Sequence, residues 1–467
     1  MPVLDPARIQ VLNDAPRRSD ASYVLYWMQQ SQRAADNPAL EHAIAEANDL
    51  GLPVLVVFGL MDDYPEANRR HYTFLLEGLR ETKETLSERG LLMVVRRGAP
   101  DEVALAYARN AAQVVTDRGY LRHQKRWRRR VADAAACRVT QVEGDVVVPV
   151  DHVTDKAEYA ARTIRPKIHD QLDRFLTPPP TVPVDHPSLD LDVPSGLELD
   201  DVPAVVDRLD LEDVPPVSGL YRGGTSEARA RLQTFCDEYL DGYDDSRNQV
   251  QSQAVSHMSK YLHFGHLSPV RLALRIQRCD APDGDVDSYL EELIVRRELA
   301  VNHVHFRPDT YDAYECLPEW ARESLAEHAD DQREYTYTEE ELVQGRTHDP
   351  YWNAAMKEMR ETGYMHNYMR MYWGKKILEW SPDPRTAFDR TLRLNNRFFL
   401  DGRDPNSYAN VAWIFGLHDQ GWKERPVYGK VRYMSRGGLE RKADPDAYVE
   451  KVDRLARQAR PEASPSQ

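Results

Sequence analysis

A change of sequence pattern across a proline-rich, acidic segment constrains the fold of this 467-residue chain more than any other feature. Nine of the 30 prolines lie between Thr177 and Gly219, and the stretch from Asp185 to Asp213 holds ten acidic residues and one arginine. This composition is typical of an extended, solvated linker. We therefore predict a first domain over residues 1–176, a linker over 177–220 and a second domain over 221–467.

The first domain alternates short apolar runs with helical patterns. A capping Asn37 followed by Pro38 marks the start of one of these helices. The predicted strands are 23–27, 53–58, 91–95, 114–116 and 139–142, and the predicted helices between them include 38–50 and 72–88. Such alternation predicts an α/β domain with a Rossmann-like parallel sheet covered by helices. The sequence has no GxGxxG after the first strand and no GxxxxGK[ST], so a dinucleotide fingerprint is absent.

The second domain shows no strand pattern. Helical spacing of apolar residues covers 226–241, 268–278, 286–306, 352–362, 364–380 and 383–395. We predict an all-α domain that is long enough to form its own core.

Cysteine usage and the absence of long apolar runs exclude several classes of protein. The four cysteines are scattered, with no CxxC motif and no clustered histidines, which argues against a disulfide framework and against a metal site. No run approaches the ~18 apolar residues of a membrane helix. The N-terminal residues lack the apolar core of a secretion signal. We expect a protein of the reducing cytoplasm with no membrane partner.

Tryptophan is concentrated in the second domain, which holds six of the eight in the chain. Trp373 and Trp380 are seven residues apart, so on a helix they share one face about 10 Å apart along the axis. Plain core packing explains such residues. A series of indoles at this spacing is also what electron hopping to a buried redox cofactor requires, and composition does not decide between the two.

Two polar segments of the second domain are candidate binding elements. The turn Val255–Ser259 carries two hydroxyl groups ahead of a predicted helix, where backbone N–H groups can hold a phosphate. A serine in this position also serves as an ordinary helix cap. The loop Asn395–Tyr408 is dense in residues that favour turns and fixed hydrogen bonds.

A basic and aromatic segment stands out on a chain whose net charge is −15. Residues 422–442 contain seven basic and two acidic residues, interleaved with Trp422, Tyr428 and Tyr433. An overall charge says little about local fields. Basic and aromatic side chains together fit phosphate contacts and base stacking in a nucleic acid, and a solvated edge is the alternative.

These elements together resemble the photolyase/cryptochrome family, and within it the class II cyclobutane pyrimidine dimer photolyases. The resemblance covers most of the chain except the linker and the tail after about Val449. The matching stretches are Tyr23–Met28, Gln32–Arg33, Asp36–Asn37, Ser259 with Tyr261–Gly265, Glu291–Leu299, Leu400–Asn406, Trp422–Pro426 and Gly429–Met434.

The resemblance implies a photolyase-type antenna α/β domain followed by an all-α domain that binds FAD, with the reduced form active. It also implies that Asn395 faces flavin N5 and that Trp352, Trp373 and Trp380 form an electron-transfer triad. The residues it assigns to FAD are Tyr243, Val255, Ser256, His257, Met258, Ser259, Arg370, Asp401, Gly402 and Arg403. A second, antenna chromophore is compatible with the family, and no motif identifies it.

The resemblance also assigns residues to damaged DNA. Glu292 is expected to hydrogen-bond the dimer, and Trp413 to line its pocket. Arg296, one helical turn after Glu292, is expected to offer a guanidinium contact where some relatives carry an aromatic residue. The remaining expected DNA contacts are Arg247, Asn367, Met371, Trp422 and Arg432. The sequence departs from the family at Lys260, where proline is commoner.

The function implied is light-driven repair of cyclobutane pyrimidine dimers by a monomeric carbon–carbon lyase that acts on UV-damaged DNA. Electron transfer from excited, reduced FAD to a flipped-out dimer splits the ring, and no general acid or base is needed. The first alternative is a cryptochrome-like blue-light receptor without repair. The second is a nucleic-acid-binding scaffold without redox activity. A (6-4) photolyase is disfavoured because its histidine pair has no obvious counterpart.

Overall fold

The computed structural model describes residues 4–459 and contains an α/β region followed by a helical region. The strands are β1 (Ile9–Val11), β2 (Tyr23–Trp27), β3 (Val54–Leu60), β4 (Leu92–Arg97), β5 (Ala111–Asp117) and β6 (Arg138–Val142). They form one sheet in the order β1-β6-β5-β2-β3-β4, in which only β1 runs antiparallel to its neighbour. The predicted α/β fold is confirmed. The short edge strand β1 was not predicted.

Helices cover both faces of the sheet and make up nearly all of the second region. The helices of the α/β region and the linker are α1 (Pro38–Leu50), α2 (Arg69–Glu88), α3 (Pro100–Ala108), α4 (Arg122–Ala134), α5 (Val150–Val153), α6 (Ala161–His169), α7 (Leu172–Phe175) and α8 (Val202–Val206). The next are α9 (Thr225–Glu238), α10 (Tyr243–Ser246), α11 (Ser259–His263), α12 (Pro269–Ile276), α13 (Asp283–Leu290), α14 (Arg297–Phe306) and α15 (Glu319–Glu327). The last are α16 (Glu339–Val343), α17 (Pro350–Thr362), α18 (Asn367–Trp380), α19 (Pro384–Phe398), α20 (Pro405–Ile414), α21 (Arg436–Lys442) and α22 (Pro445–Ala459).

Local signals in the sequence explain where the helices around the site begin. Proline stands in the first turn of α17, α19 and α20, where its missing N–H costs nothing. Asp349, Asp383 and Asp404 precede these helices, and each side chain accepts a hydrogen bond from a backbone N–H of the first turn. No helix within residues 4–459 combines the length and the apolar character that crossing a membrane requires.

The acidic segment packs on the α/β region. Leu197 N–H donates to Val95 O of β4 at 2.6 Å, so the segment covers the free edge of the sheet. Val202, Val205 and Val206 of α8 are buried in the same core as α1 and α2. Its charged residues face outward while its valines pack inward, so it is a structural cover as well as a connection.

The first region also shares a hydrophobic core with the helical region. Val147, Ile164 and Phe175 pack in one cluster with helices α9 to α12. The Arg8 guanidinium, which is buried, donates to the carbonyl groups of Glu143, Val146, Val147 and Phe175. The Arg8 contacts hold the first region's part of this cluster together, and the cluster packs that region against the helices that build the candidate site.

Candidate functional site

A cavity of about 290 Å³ lies among the helices of the second region, and we call it the helical cavity. Its volume is near the lower end of the range for small-molecule and cofactor sites. The predicted site residues that line it are Tyr243, Arg247, Val255, Ser256, His257, Met258, Ser259, Glu292, Asn367, Arg370, Met371, Trp373, Asn395, Asp401 and Trp413. Residues from distant parts of the sequence are therefore gathered at one place.

The turn before α11 forms one wall of the helical cavity. His257 adopts a φ of 57°, a left-handed conformation uncommon for a residue with a side chain. The Ser256 hydroxyl accepts a hydrogen bond from the Tyr289 hydroxyl at 2.8 Å. Lys260, which is buried, donates to the carbonyl oxygen of His257 at 3.2 Å. These contacts hold the turn in a fixed shape with its hydroxyl groups at the cavity.

An ion pair between α18 and the segment after α19 forms another wall. Both Arg370–Asp401 hydrogen bonds are 3.1 Å long, the fork geometry typical of a guanidinium and a carboxylate. The Arg370 guanidinium carbon also lies 3.9 Å from the centre of the Phe399 ring. Burial by itself would raise the pKa of Asp401, but Arg370 and Ser259 together hold that pKa below its usual value. Asp401 is therefore a fixed negative charge.

The end of α19 places an amide at the cavity. Asn395 lines the helical cavity and is 5% exposed, whereas the neighbouring Asn396 is fully buried behind it. A Cβ atom on Gly402 would lie 3.0 Å from the carbonyl oxygen of Asn395 and from that of Phe399. Only glycine allows this close approach without displacing backbone atoms, so Gly402 brings Asp401 against the end of α19.

Three buried tryptophans connect the cavity with the interior of the helical region. Trp373 lines the cavity, and its backbone carbonyl accepts a 3.0 Å hydrogen bond from the indole N–H of Trp352. The rings of Trp352 and Trp380 are 5.5 Å apart between centroids, in an edge-to-face arrangement. Trp352 of α17 therefore links the two tryptophans of α18, through the backbone carbonyl of Trp373 and the ring of Trp380.

Glu292 lies on a wide, π-helical turn over Glu291–Arg296 that joins α13 to α14. It forms a 2.8 Å ion pair with Arg247, and both residues line the cavity. Arg296 instead pairs with Glu291 at 3.2 Å. An α-helix would place Arg296 on the face of Glu292, but the i to i+5 repeat of a π-helix turns it toward Glu291. This local geometry differs from the spacing expected from the sequence.

Seven predicted site residues do not line the helical cavity: Gly402, Arg403, Arg296, Trp352, Trp380, Trp422 and Arg432. Arg403 is buried and lines a different cavity. Trp422 is 45% exposed, and the Arg432 guanidinium lies 5.1 Å from its ring centre. Further cation–aromatic pairs of residues 422–442 join Arg425 to Tyr433 and Lys442 to Tyr368. We call residues 422–442 the basic strip.

The structure also adds lining residues that the sequence analysis did not single out. Asn406 and Asn410 of α20 face the helical cavity together with Trp413. Their spacing of four and three residues places all three on one helix face, a signal that the sequence contained. Arg297 also lines the cavity and forms a buried 2.8 Å pair with Asp145. No sequence signal links these two residues, because the sheet and the helices meet only in the folded chain.

A second cavity, of about 110 Å³, lies between the α/β region and the helical region, and we call it the interdomain cavity. Its lining is largely aromatic and amide, and it includes Phe58, Tyr64, Trp127, Gln30 and Gln124. It lies at the carboxyl ends of β2 and β3, the edge where open α/β sheets bind ligands. Asp404 lines both cavities, so they share a wall.

Comparison with known proteins agrees with this architecture. A sequence profile for DNA photolyase matches residues 24–184. The chain is 50% identical over 445 residues to a deoxyribodipyrimidine photo-lyase of Methanothermobacter thermautotrophicus, covering 95% of this chain and 98% of that protein. The chain belongs to the DNA photolyase family. The α/β region followed by a helical region is therefore the family architecture, as the resemblance implied.

Solved structures show the same fold at low sequence identity. A cryptochrome from Synechocystis has a TM-score of 0.72 and 16% identity, covering 94% of this chain and 88% of that one. A photolyase from Sulfolobus tokodaii containing two FAD molecules has a TM-score of 0.67 and 17% identity, covering 93% and 89%. These two likenesses concern the fold alone.

Proposed function

We propose that this protein repairs cyclobutane pyrimidine dimers in UV-damaged DNA under light, with reduced FAD bound in the helical cavity. It would be a deoxyribodipyrimidine photo-lyase, a carbon–carbon lyase, of the class II type. The observation that carries the proposal is that one cavity wall holds the first indole of a buried tryptophan series while another holds Glu292 and Trp413. The 50% identity to a photo-lyase of another organism supports the same activity.

The residues of the helical cavity fit FAD. The indole N–H of Trp373 is buried and has no hydrogen-bond partner within the described part of the chain. Arginine, serine and asparagine side chains supply donors for a diphosphate and for ribityl hydroxyls, and aromatic residues supply flat surfaces. Tyr243 and the Val255–Ser259 turn would hold FAD, with the turn contacting the diphosphate. Bound FAD in its reduced form supplies the electron that splits the dimer after excitation by blue or near-ultraviolet light.

The Arg370–Asp401 pair and Asn395 would lie beside the flavin ring. Arg370 is held by two hydrogen bonds and by the Phe399 ring, so it offers a positive charge at a fixed place. Such preorganised charges act strongly in a site that excludes water. Asn395 presents an amide, which can accept or donate a hydrogen bond without changing its own charge.

The damaged bases would enter on the side of Glu292. A lesion must leave the base stack to reach a buried cofactor, and a damaged pair costs less to extrude than an intact one. Glu292, positioned by Arg247, would accept hydrogen bonds from the dimer, and Trp413 and Met371 would line its pocket with Asn367 at the margin. Arg296 would contact the lesion or its phosphates from the surface.

The basic strip would bind the DNA around the lesion. The exposed Trp422 indole and the half-buried Arg432 guanidinium form a pair, a combination suited to filling the gap left by extruded bases. The other basic residues of the strip would contact phosphates, so binding would weaken as salt increases. The negative charge of the whole chain does not prevent this, because the strip provides a local positive field.

The interdomain cavity would hold a second, light-harvesting chromophore. Its aromatic and amide lining suits a flat ring system with hydrogen-bonding edges. A flavin, a deazaflavin and a folate each contain such a ring system. The two FAD molecules of the Sulfolobus tokodaii photolyase are in line with a second site in this fold. We further propose that the protein is a monomer and that it is cytoplasmic; its four free thiols support the cytoplasmic location.

The test is the amount of pyrimidine dimers that remain in UV-irradiated DNA after incubation with the reduced protein under blue light and in darkness. We expect loss of dimers in light alone. Flavin binding with no loss of dimers would favour the cryptochrome-like receptor. A colourless protein that takes up no FAD would favour a scaffold without redox activity.

A further inference from the structure

A carboxylate of the α/β region contacts the amide pair at the end of α19. The Asn396 amide nitrogen donates to a Glu66 carboxylate oxygen at 2.6 Å. Asn396 is fully buried, whereas Glu66 reaches solvent from the loop between β3 and α2. The Asn395 amide nitrogen in turn donates to the Asn396 side-chain oxygen at 3.0 Å. A chain of two hydrogen bonds therefore links Glu66 with the residue that lines the helical cavity.

The partners of Asn396 fix which way its amide points. Its side-chain oxygen faces the backbone N–H of Arg403 at 3.0 Å, and a backbone N–H can only donate. Its nitrogen faces the Glu66 carboxylate, which when ionised can only accept. Inverting the amide would set donor against donor at Arg403 and acceptor against acceptor at Glu66. Two independent groups thus select one orientation.

The orientation of Asn396 passes to Asn395. Because the Asn396 oxygen is turned toward Asn395, the Asn395 atom that meets it has to be the amide nitrogen. The amide oxygen of Asn395 then points away from Asn396. Because Asn395 lines the cavity, this oxygen is available to a ligand there. An oxygen presented to a ligand favours a partner that carries a proton.

The loop that carries Glu66 is itself anchored on the end of α19. Asn68 donates to Arg397 O at 2.7 Å, and Arg70 donates to Phe398 O at 2.7 Å. Glu66 has a φ of 59°, a left-handed conformation that a residue with a side chain adopts only where its surroundings hold it. Contacts from the α/β region therefore set both the position of α19 and the direction of the Glu66 side chain.

We propose that Glu66 is a positioning residue that fixes the Asn395 side-chain oxygen toward the helical cavity through Asn396. The proposal rests on the proposed function in one respect, the flavin that occupies this cavity. As a consequence, the α/β region favours protonation of the flavin nitrogen that Asn395 faces, although Glu66 itself does not line the cavity. Glu66 acts through its acceptor character, so a neutral acceptor can replace it.

The experiment compares Glu66→Met, which keeps the length of the side chain but removes the acceptor, with Glu66→Gln, which can offer its amide oxygen to Asn396. Each FAD-loaded protein is illuminated with a reductant, and the absorption spectrum gives the ratio of protonated to unprotonated one-electron-reduced flavin. We expect this ratio to fall about fivefold in Glu66→Met, the equivalent of about 1 kcal/mol for one hydrogen bond, and to stay within about twofold in Glu66→Gln. An unchanged ratio in Glu66→Met would overturn the proposal. An equal fall in both variants would also overturn it, because charge rather than acceptor character would then be the cause.

A second measurement needs no flavin and distinguishes failure of this proposal from failure of the proposed function. Asn396→Asp sets a carboxylate against Glu66, and the double variant with Glu66→Gln restores a donor at that contact. Urea unfolding of the four proteins is expected to show that Glu66→Gln lowers the unfolding equilibrium constant of Asn396→Asp by about fivefold or more. No rescue would refute the Glu66–Asn396 link. If the wild type binds no flavin but the double variant is still rescued, the proposed function is refuted and the Glu66–Asn396 link stands.

Discussion

The two cavities of this protein differ in the chemistry of their walls. The helical cavity, about 290 Å³, is lined by arginines, carboxylates and asparagines held by paired contacts such as Arg370–Asp401. The interdomain cavity, about 110 Å³, has aromatic rings and glutamines in its wall, such as Trp127 and Gln124, together with the charged Asp145, Arg403 and Asp404. Fixed charges can tune a redox group, and aromatic walls hold a flat ring.

The two cavities also differ in what lies behind their walls. Trp373 of the helical cavity leads to Trp352 and Trp380 in the interior. Trp127 of the interdomain cavity contacts His123 and Tyr64. Within the described residues a buried tryptophan series lies beside the helical cavity. This supports the proposal that the redox chemistry takes place there and that light is collected at the interdomain cavity.

The largest expected effect comes from comparing two tryptophan substitutions, one at each cavity. Trp373→Phe removes the first indole of the series, so we expect light-driven reduction of bound FAD to slow by at least about a hundredfold, about 2.7 kcal/mol in the barrier. Chemically reduced Trp373→Phe should still repair dimers. Trp127→Phe is the matched control and should photoreduce normally. Transient absorption of the flavin measures both, and equal slowing in the two variants would remove the distinction between the cavities.

The sheet and the main helices could be predicted because their apolar patterns are regular. Strands β2 to β6 and helices α1 and α17 to α19 follow the predicted runs closely. Strand β1 was missed because Ile9–Val11 is only three residues long and forms through its antiparallel pairing with β6. The π-helical turn at Glu291–Arg296 keeps an apolar pattern that an α-helix would share, so the pairing of Arg296 with Glu291 had no sequence signal.

Much of the candidate site could be predicted from motif resemblance, since fifteen of the predicted site residues line one cavity. Glu66, Arg297 and Asp145 were not found because their contacts cross between the two regions of the fold. Periodicity and motif spacing describe neighbours along the chain. They carry no information on which loop of one region meets which helix of the other.

A second prediction concerns the charged wall of the helical cavity. Asp401→Ala leaves the Arg370 guanidinium, which is only 22% exposed, without its carboxylate. We expect the free energy of unfolding to fall by about 2–3 kcal/mol and FAD to be lost on purification. Glu315→Ala breaks the exposed pair with Arg385 and should cost less than about 1 kcal/mol. Urea unfolding measures the change in stability, and flavin absorbance measures the loss of FAD. Retention of FAD by Asp401→Ala would contradict the assignment of Asp401 to the FAD site.

A third prediction separates lesion binding from flavin chemistry at the same cavity. Glu292→Gln keeps the shape of the side chain but removes the negative charge, which pairs with Arg247 and is proposed to accept hydrogen bonds from the dimer. We expect repair to slow by about tenfold, as a charged hydrogen bond is weakened, while photoreduction of FAD is unchanged. Rates of dimer loss in light, at limiting DNA, provide the measurement. A variant slowed equally in both reactions would mean that Glu292 acts on the flavin.

The smallest expected effect is a pH dependence from the turn of the helical cavity. Burial lowers the pKa of Lys260 to about 7, only partly opposed by Asp401, whereas an unfolded lysine has a pKa of about 10.4. Between these values the unfolded chain binds more protons, so the free energy of unfolding of the wild type rises with pH. Lys260→Met lacks this rise. The variant should gain most stability over the wild type at pH 6, and this gap should narrow toward pH 10.

The control for this prediction is Lys83→Met, which removes a lysine of the surface pair with Glu198. Its stability relative to the wild type should not change between pH 6 and pH 9. Urea unfolding across that range is the measurement. A gap for Lys260→Met that widens with pH would mean that Lys260 is stabilised in its charged form by its surroundings.

The most direct test of the whole account is a crystal structure of the protein grown with FAD, in which a difference map shows which cavity holds the isoalloxazine ring. We predict the ring in the helical cavity, between Asn395 and the Arg370–Asp401 pair, whether or not a second chromophore occupies the interdomain cavity. Side chains that fill the helical cavity, or a flavin found only at Trp127, would contradict the account.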